Sequence, residues 1–155
     1  MINLRPKAAL PLLALALLSG CDQPPQVNPK GSPNTISNKC WLDLINGSKE
    51  KVFMPKTSNV EFRGWAVDSN TNTTPPQLNL VLTSKNGQAF VFENATRNAR
   101  PDVVKAFNQN AYLQSGFQIT AEVTDLEKGA YRISLQMPVE GGVVTCSTPK
   151  ILQLK

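Results

Sequence analysis

The sequence predicts an all-β domain, an antiparallel β-sandwich with one short helix, preceded by an export segment and a tether. Apolar residues recur at every second position in short runs, which is typical of strands with one buried face. Turn-forming pairs such as Asn46-Gly47 and Asn86-Gly87 separate these runs. Cys40 and Cys146 lie near the two ends of the patterned region. A sandwich of roughly seven to nine strands satisfies all three observations.

The first twenty residues have the character of an export signal. Residues 1–7 carry Arg5 and Lys7 without an acidic residue, and residues 8–18 are apolar except for Pro11. This apolar run is shorter than the roughly 20 residues that a helix needs to cross a bilayer. We therefore predict a signal peptide over residues 1–20.

The end of this segment, Leu18-Ser19-Gly20-Cys21, resembles the lipobox of bacterial lipoproteins. The resemblance implies that the Cys21 sulfur receives a diacylglycerol, that the preceding residues are removed, and that the new amino terminus is acylated with a fatty acid such as palmitate. The alternative is an ordinary signal peptide with an incidental cysteine. Asp22 resembles the retention signal of enterobacterial lipoproteins, which favours the inner membrane over the outer without deciding between them.

Residues 21–38 are rich in Pro, Gln, Asn and Ser, and we predict a flexible tether there. Without residues 1–20 the chain keeps 14 basic and 11 acidic residues, so its net charge falls from +5 to +3. No cluster of Lys and Arg alternates with aromatic residues, so nucleic-acid binding is not supported.

Residues 39–155 are long enough for one domain with one core. Asn46-Gly47, Asn86-Gly87, Lys128-Gly129 and Gly141-Gly142 mark its turns. Residues 101–107, which begin with Pro101, are the helical candidate. The strands are predicted at residues 40–45, 60–67, 78–83, 89–92, 117–123, 131–137, 143–146 and 151–154.

Cys40 and Cys146 are the only cysteines of the domain. In an oxidising compartment they are expected to form one disulfide between the first predicted strand and a late one. A metal site or a reactive thiol is the competing interpretation. The chain lacks histidine and any Cys-x-x-Cys pair, which disfavours both, and no cofactor is expected.

Four short motifs stand out in the domain. They are Phe62-Arg63-Gly64-Trp65-Ala66-Val67-Asp68, Arg100-Pro101-Asp102-Val103 followed by Phe107, Ser115-Gly116-Phe117, and Leu126-Glu127-Lys128-Gly129-Ala130-Tyr131-Arg132-Ile133. Together they resemble a module of secreted bacterial proteins that is similar to immunoglobulin-like β-sandwich domains. The resemblance covers residues 60–139 and implies an immunoglobulin-like fold, often found in cell-surface and carbohydrate-active proteins. Three features depart from the module: the lipid anchor, the Asn-rich loop at residues 69–76 and the cysteine pair.

The sequence does not favour an enzyme. Without histidine, acid-base chemistry near neutral pH would depend on carboxylates, lysine or tyrosine. The carboxylates lie in turns without a spacing that pairs them; they are Asp68, Asp102, Asp125 and Glu127. We expect Asp102 to accept N–H groups in the first helical turn, Asp43 to face solvent, and Ser115 to serve a turn, since it lacks a Gly-x-Ser-x-Gly elbow.

Four side chains are candidates for binding. Trp41 and Trp65 lie on the strand face opposite the aliphatic residues, where an indole can stack on a sugar or anchor a protein contact, or simply cover the sheet. Arg97 and Arg100 flank a polar loop, where they can grip an anion, pair with a local carboxylate or fix a loop.

The sequence therefore predicts a lipid-anchored, periplasm-facing, non-enzymatic interaction module. We expect its partner to be another envelope protein. Binding of carbohydrate or peptidoglycan, the cell-wall glycan, is the alternative.

We also expect Gly64 and Ala66 to face inward on their strand, with the residues that follow Pro101 packing closely against them.

Overall fold

A computed structural model describes residues 34–155 of the chain. The predicted signal peptide, Cys21 and the tether up to residue 33 lie outside the described residues. Residues 34–38, the end of the predicted tether, belong to the folded domain, because the first strand begins at Asn34 and Ser37 is buried.

The domain consists of two packed β-sheets with one short helix. One sheet has the order β2-β4-β8-β7, and the other has the order β1-β10-β9-β5-β6 with β3 also paired to β10. The elements are β1 (Asn34–Ile36), β2 (Cys40–Ile45), β3 (Val52–Phe53), β4 (Asn59–Ala66), β5 (Asn79–Ser84), β6 (Ala89–Phe92), β7 (Thr96–Asn98), α1 (Pro101–Phe107), a 3₁₀ turn (Asn110–Tyr112), β8 (Gly116–Glu122), β9 (Gly129–Val139) and β10 (Gly142–Leu154). The predicted all-β sandwich is confirmed, and so is the helix over residues 101–107.

Alternation of apolar and polar residues buries one face of each long strand. In β4, Val60, Phe62 and Ala66 are fully buried, whereas Arg63 is exposed. They pack against Leu80, Leu82, Ile133 and Leu135 of the other sheet to form the main core. Each of these larger aliphatic side chains contributes about 1.5–3 kcal/mol by leaving water.

The alternation is interrupted in β2. The register between β2 and β4 shifts between Leu42 and Leu44, so Asp43 is an extra residue in a β-bulge. As a result Leu42 and Ile45 are both buried, and Leu44 does not follow the inward face that simple alternation predicts.

The disulfide between Cys40 and Cys146 is present, as predicted. It joins β2 of one sheet to β10 of the other, although β2 is the second strand of the domain because β1 precedes it. Near the bond, Lys150 is almost completely buried and donates from Nζ to the Asp43 carbonyl oxygen at 2.8 Å. Burial lowers the pKa of Lys150. Two ties, one covalent and one polar, therefore close this side of the sandwich.

Helix α1 packs on the outer face of the β2-β4-β8-β7 sheet. Its Val103 joins Val67 and Tyr112 in a second, smaller buried cluster, with Trp65 and Val104 packed against it. We call these five residues the helix-side core. The helix ends at Asn108, which adopts a left-handed conformation with φ of 51° and donates its backbone N–H to the Val104 carbonyl.

Gly64 faces inward as predicted, but the helix is not what fills its space. A Cβ atom at this position would lie 2.1 Å from the Trp41 carbonyl oxygen and 2.9 Å from the Phe117 ring. The prediction that residues after Pro101 pack there was wrong, because α1 lies on the opposite face of the sheet. Gly64 instead allows the bulged strand β2 to approach β4.

Candidate functional site

Aromatic side chains meet on the outer face of the β2-β4-β8-β7 sheet. Trp41 and Trp65 are directly opposite each other on β2 and β4. The Trp65 ring lies 5.5 Å from the Phe107 ring, which in turn lies 5.8 Å from the Tyr112 ring. We call Trp41, Trp65, Phe107 and Tyr112 the aromatic face.

The four rings differ in their contact with solvent. Tyr112 is fully buried and Trp65 is partly covered by the helix, whereas Phe107 is 39% and Trp41 is 49% exposed. Both tryptophans lie opposite the aliphatic residues, as predicted from the alternation. Trp65 therefore covers its sheet, and Trp41 remains free to contact another molecule.

The side-chain ammonium group of Lys39 lies beside two of these rings. Lys39 Nζ lies 5.6 Å from the centre of the Phe107 ring and 5.4 Å from that of Tyr112. It also donates to the Tyr112 hydroxyl at 3.0 Å and to Asn72 Oδ1 at 3.2 Å, and the hydroxyl donates to the same Asn72 oxygen at 2.8 Å. These contacts attach the Asn-rich loop to the helix-side core and hold Phe107 in place.

An ion-pair network lies on the same side of the sheet. Arg100 donates from Nε and Nη2 to both carboxylate oxygens of Asp102, at 2.9 and 2.7 Å. Its Nη1 donates to Asp43 Oδ2 at 2.7 Å. Arg100 thereby links the start of α1 to the bulge in β2.

The network shifts the charged groups toward their ionised forms. Hydrogen bonds from Arg100 lower the pKa of Asp102 from 3.8 to about 2. The hydrogen bonds with Asp102, aided by Asp43, raise the pKa of Arg100. The main role of Asp102 is thus to bind the Arg100 side chain rather than to cap the helix. Asp43 is ion-paired rather than simply solvent-facing. The sequence predicted a solvent-facing Asp43 because its partner, Arg100, is 57 positions away, too far for residue spacing to indicate the contact.

A glycine makes room for Arg100. A Cβ atom at Gly116 would lie 2.8 Å from Arg100 Cγ and 1.9 Å from Asn98 Oδ1. Gly116 is opposite Trp65 in the sheet, so the arginine stem crosses β8 beside the aromatic face. The passage of the Arg100 side chain explains why the middle residue of the Ser115-Gly116-Phe117 motif is glycine.

Arg97, the other predicted anion-binding arginine, is turned into the protein. It donates to the carbonyl oxygens of Ala66, Pro75 and Ser115 at 2.7 to 3.3 Å. Burial lowers its pKa to about 10. Arg97 therefore holds three separate segments together, and the structure does not place it with Trp41 and Arg100.

Three structural facts about residues 34–155 concern metal ligands, Asp68 and Ser115. No three His, Cys, Asp or Glu side chains are grouped as metal ligands in residues 34–155. Burial tends to raise the pKa of Asp68, but hydrogen bonds from Thr71 and Asn70 outweigh it and lower the pKa. In this part of the chain the buried Ser115 hydroxyl has no hydrogen-bond partner and therefore no base that would activate it.

The sequence missed two contributors to this surface, Phe107 as an exposed ring and Lys39 as its support. A signal existed for Phe107, because it is a large apolar residue at the end of a short helix.

The part of the chain that the structure describes has no helix long and apolar enough to cross a membrane. No family model, curated protein or solved structure matches this chain.

Proposed function

We propose that the sandwich is immunoglobulin-like. Its two sheets, in the orders β2-β4-β8-β7 and β10-β9-β5-β6, agree with the A-B-E-D and G-F-C-C′ orders of that fold. The parallel pairing of β1 with β10 adds a short strand beside the last one.

A tyrosine near the start of β9 supports the same proposal. The Tyr131 hydroxyl donates to the Glu127 carbonyl four residues upstream, at 2.8 Å. This matches the tyrosine corner at the beginning of strand F in immunoglobulin-like domains. The disulfide departs from the antibody pattern, because it joins the strands that correspond to A and G rather than B and F.

We propose that the protein is a lipid-anchored, periplasm-facing, non-enzymatic module that binds another envelope protein. The observation that carries the proposal is the half-exposed Trp41 beside the ion-pair network. Tryptophan and arginine are the residues most enriched at binding hot spots. A partner that covers Trp41 would bury an indole and leave the charged pairs at the rim, which is the usual arrangement of a protein interface.

The state of the polar groups favours a protein partner over a sugar. Nε, Nη1 and Nη2 of Arg100 all donate to carboxylates already, so the arginine has few donors to offer to sugar hydroxyls. An aromatic surface with internally paired charges suits a partner that supplies apolar contact area.

The envelope location rests on the sequence and on one structural feature. The lipobox-like run supplies the proposed anchor at Cys21, and the disulfide is of the kind that persists in oxidising compartments. Asp22 favours the inner membrane. Replacing Cys21→Ser should abolish lipidation, since the thioether requires the sulfur; acyl masses on the variant's first mature residue would refute the anchor.

Site-specific crosslinking tests the binding surface. A photoreactive benzoyl-phenylalanine at position 41 of the full chain should form adducts with one envelope protein in living cells. The same residue at position 139 is the control, because Val139 is also exposed but lies at the end of β9. Equal adducts at both positions, or none at position 41, would count against the aromatic face.

A second function, binding of carbohydrate or peptidoglycan, is favoured by the exposed indole with two carboxylates near it. Co-sedimentation with purified cell wall, comparing Trp41→Ala with Val139→Ala, separates the two functions. If Trp41→Ala melts like wild type and no longer sediments with glycan, the second function replaces the first.

A further inference from the structure

The edges of the two sheets differ in how they are protected against pairing with another chain. An unprotected edge presents free N–H and C=O groups to any extended segment, and proteins usually block it with Pro, a bulge, a buried charge or a very short strand. β1 and β7 have three residues each and β3 has two, with Pro55 soon after β3 and Pro101 soon after β7. β2 carries the bulge, the disulfide and the Lys150 contact.

β6 is the exception among the described edges. It comprises Ala89–Phe92, pairs with β5 without a register shift, and has no strand on its other side. No proline or charged residue lies within it. Its Val91 is 49% exposed, and Ala89 and Glu93 are exposed as well.

The hairpin fixes which backbone groups of β6 are free. Ser84 donates its N–H to the Gln88 carbonyl at 2.9 Å, and hydrogen-bonded and non-bonded pairs alternate along an antiparallel ladder. Gln88, Phe90 and Phe92 therefore direct their backbone groups toward β5. Ala89 and Val91 direct theirs away from the sheet, into solvent.

We propose that β6 pairs antiparallel with β6 of a second copy of this chain, about a two-fold axis at Val91. This register brings each Val91 opposite its copy, so that the two residues exchange both backbone hydrogen bonds. It also brings Ala89 opposite Glu93 of the other copy. By the same alternation, the backbone N–H and C=O groups of these two residues point away from β5 and are free to pair.

The side chains agree with this register. Directly opposed residues share a face, so the exposed Val91 side chains cover each other on the outer face. Phe90 of each copy meets Phe92 of the other on the inner face, where both rings are only half-buried at the end of the main core. Antiparallel pairing keeps the two Glu93 carboxylates about 14 Å apart along the strands, whereas parallel pairing in register would bring them together.

Cysteine crosslinking of the full chain tests the register. Opposed hydrogen-bonded residues have Cα atoms about 5.5 Å apart, within the range of about 4.4–6.8 Å that a disulfide spans. Val91→Cys should give more covalent dimer on mild oxidation than the wild-type chain does. The wild type is the background because both proteins contain Cys21. Ala89→Cys and Glu93→Cys should crosslink when the two variants are mixed but not when either is alone.

Val139→Cys is the matched control, since it places a thiol at another exposed valine position, on a strand that does not pair with β6. Sedimentation of the full chain in mild detergent provides a second measurement. Wild type and Val139→Lys should associate with rising concentration, whereas Val91→Lys should remain monomeric because two ammonium groups would face each other.

Three results would overturn the proposal: no more dimer from Val91→Cys than from Val139→Cys, a wild-type chain that stays monomeric at its highest soluble concentration, or a Val91→Cys crosslink to a different protein. An unchanged melting temperature of Val91→Lys shows that the fold survives the substitution. Adducts at position 41 should not change in Val91→Lys, so self-pairing and the function proposed for the aromatic face can fail independently.

Discussion

The main core and the helix-side core are built by different means. Regular strands from two sheets supply the main core, and its members are almost entirely aliphatic or aromatic. The helix-side core is assembled from the end of β4, the helix and the 3₁₀ turn, and polar contacts from Lys39 and Asn72 hold it. The strands thus build the main core and carry Trp41 and Trp65, whereas the helix and the 3₁₀ turn position Phe107 and Tyr112 on the same face.

The largest effect is expected from Gly64→Leu in the main core. Because even a Cβ atom would lie 2.1 Å from the Trp41 carbonyl oxygen, the variant should fail to fold. Thr120→Leu is the control, since it adds the same side chain at an exposed strand position. Circular dichroism during heating checks both variants, and a cooperative Gly64→Leu melt near that of wild type would contradict the packing described for β2 and β4.

Removal of the disulfide should have the next largest effect. The bond closes a sequence separation of 106 residues, so the double variant Cys40→Ala, Cys146→Ala should lose about 4 kcal/mol of unfolding free energy. Urea denaturation measures the loss. Reductant should shift the wild-type curve by a similar amount and leave the double variant unchanged; equal curves for both proteins would show that the bond does not stabilise the sandwich.

A smaller loss is expected in the helix-side core. Tyr112→Phe removes the hydroxyl that binds Lys39 and Asn72 and should lower the unfolding free energy by about 1–2 kcal/mol. Lys39→Met and the double variant complete a cycle, in which the losses should not add because the groups share partners. Full additivity would mean that the lysine does not depend on the hydroxyl.

The smallest effect concerns Asp102, whose side chain is 64% exposed. Its pKa is lowered from 3.8 to about 2 in the folded protein, so its ion pair stabilises the fold above pH 4 and is lost as the pH falls toward 2. Asp102→Asn should therefore melt slightly below wild type at pH 7, and the gap should close between pH 4 and pH 2. Asp125→Asn, at an exposed position that forms no salt bridge among the described residues, is the control for the Asp-to-Asn substitution itself.

The regular parts of the molecule could be predicted from the sequence, because alternation and turn residues act locally. The limits of α1, the strands β2, β4 to β6, β8 and β9, and the pairing of Cys40 with Cys146 belong to this group. The two strands predicted at residues 143–146 and 151–154 instead form one strand, β10. The bulge at Asp43 and the shortest strands could not be predicted, since two or three residues leave no periodic signal.

The candidate site was predictable only in part. The outward position of Trp41 and Trp65 follows from alternation within their strands. The partners of Arg97 and Arg100 do not, because Arg97 binds backbone carbonyls of three separate segments and Arg100 binds a carboxylate on a distant strand. Such contacts depend on tertiary structure rather than on residue spacing.

The position of the disulfide also determines how the domain responds to a mechanical load. A pull on the chain before β1 first acts on the parallel pairing of β1 with β10, where the hydrogen bonds share the load in shear. Beyond this short strand the tension reaches Cys40 and passes through the covalent bond into β10. Residues 41–145 are then shielded from the pull, so only residues outside the disulfide loop, before Cys40 and after Cys146, can be extended while the bond is intact.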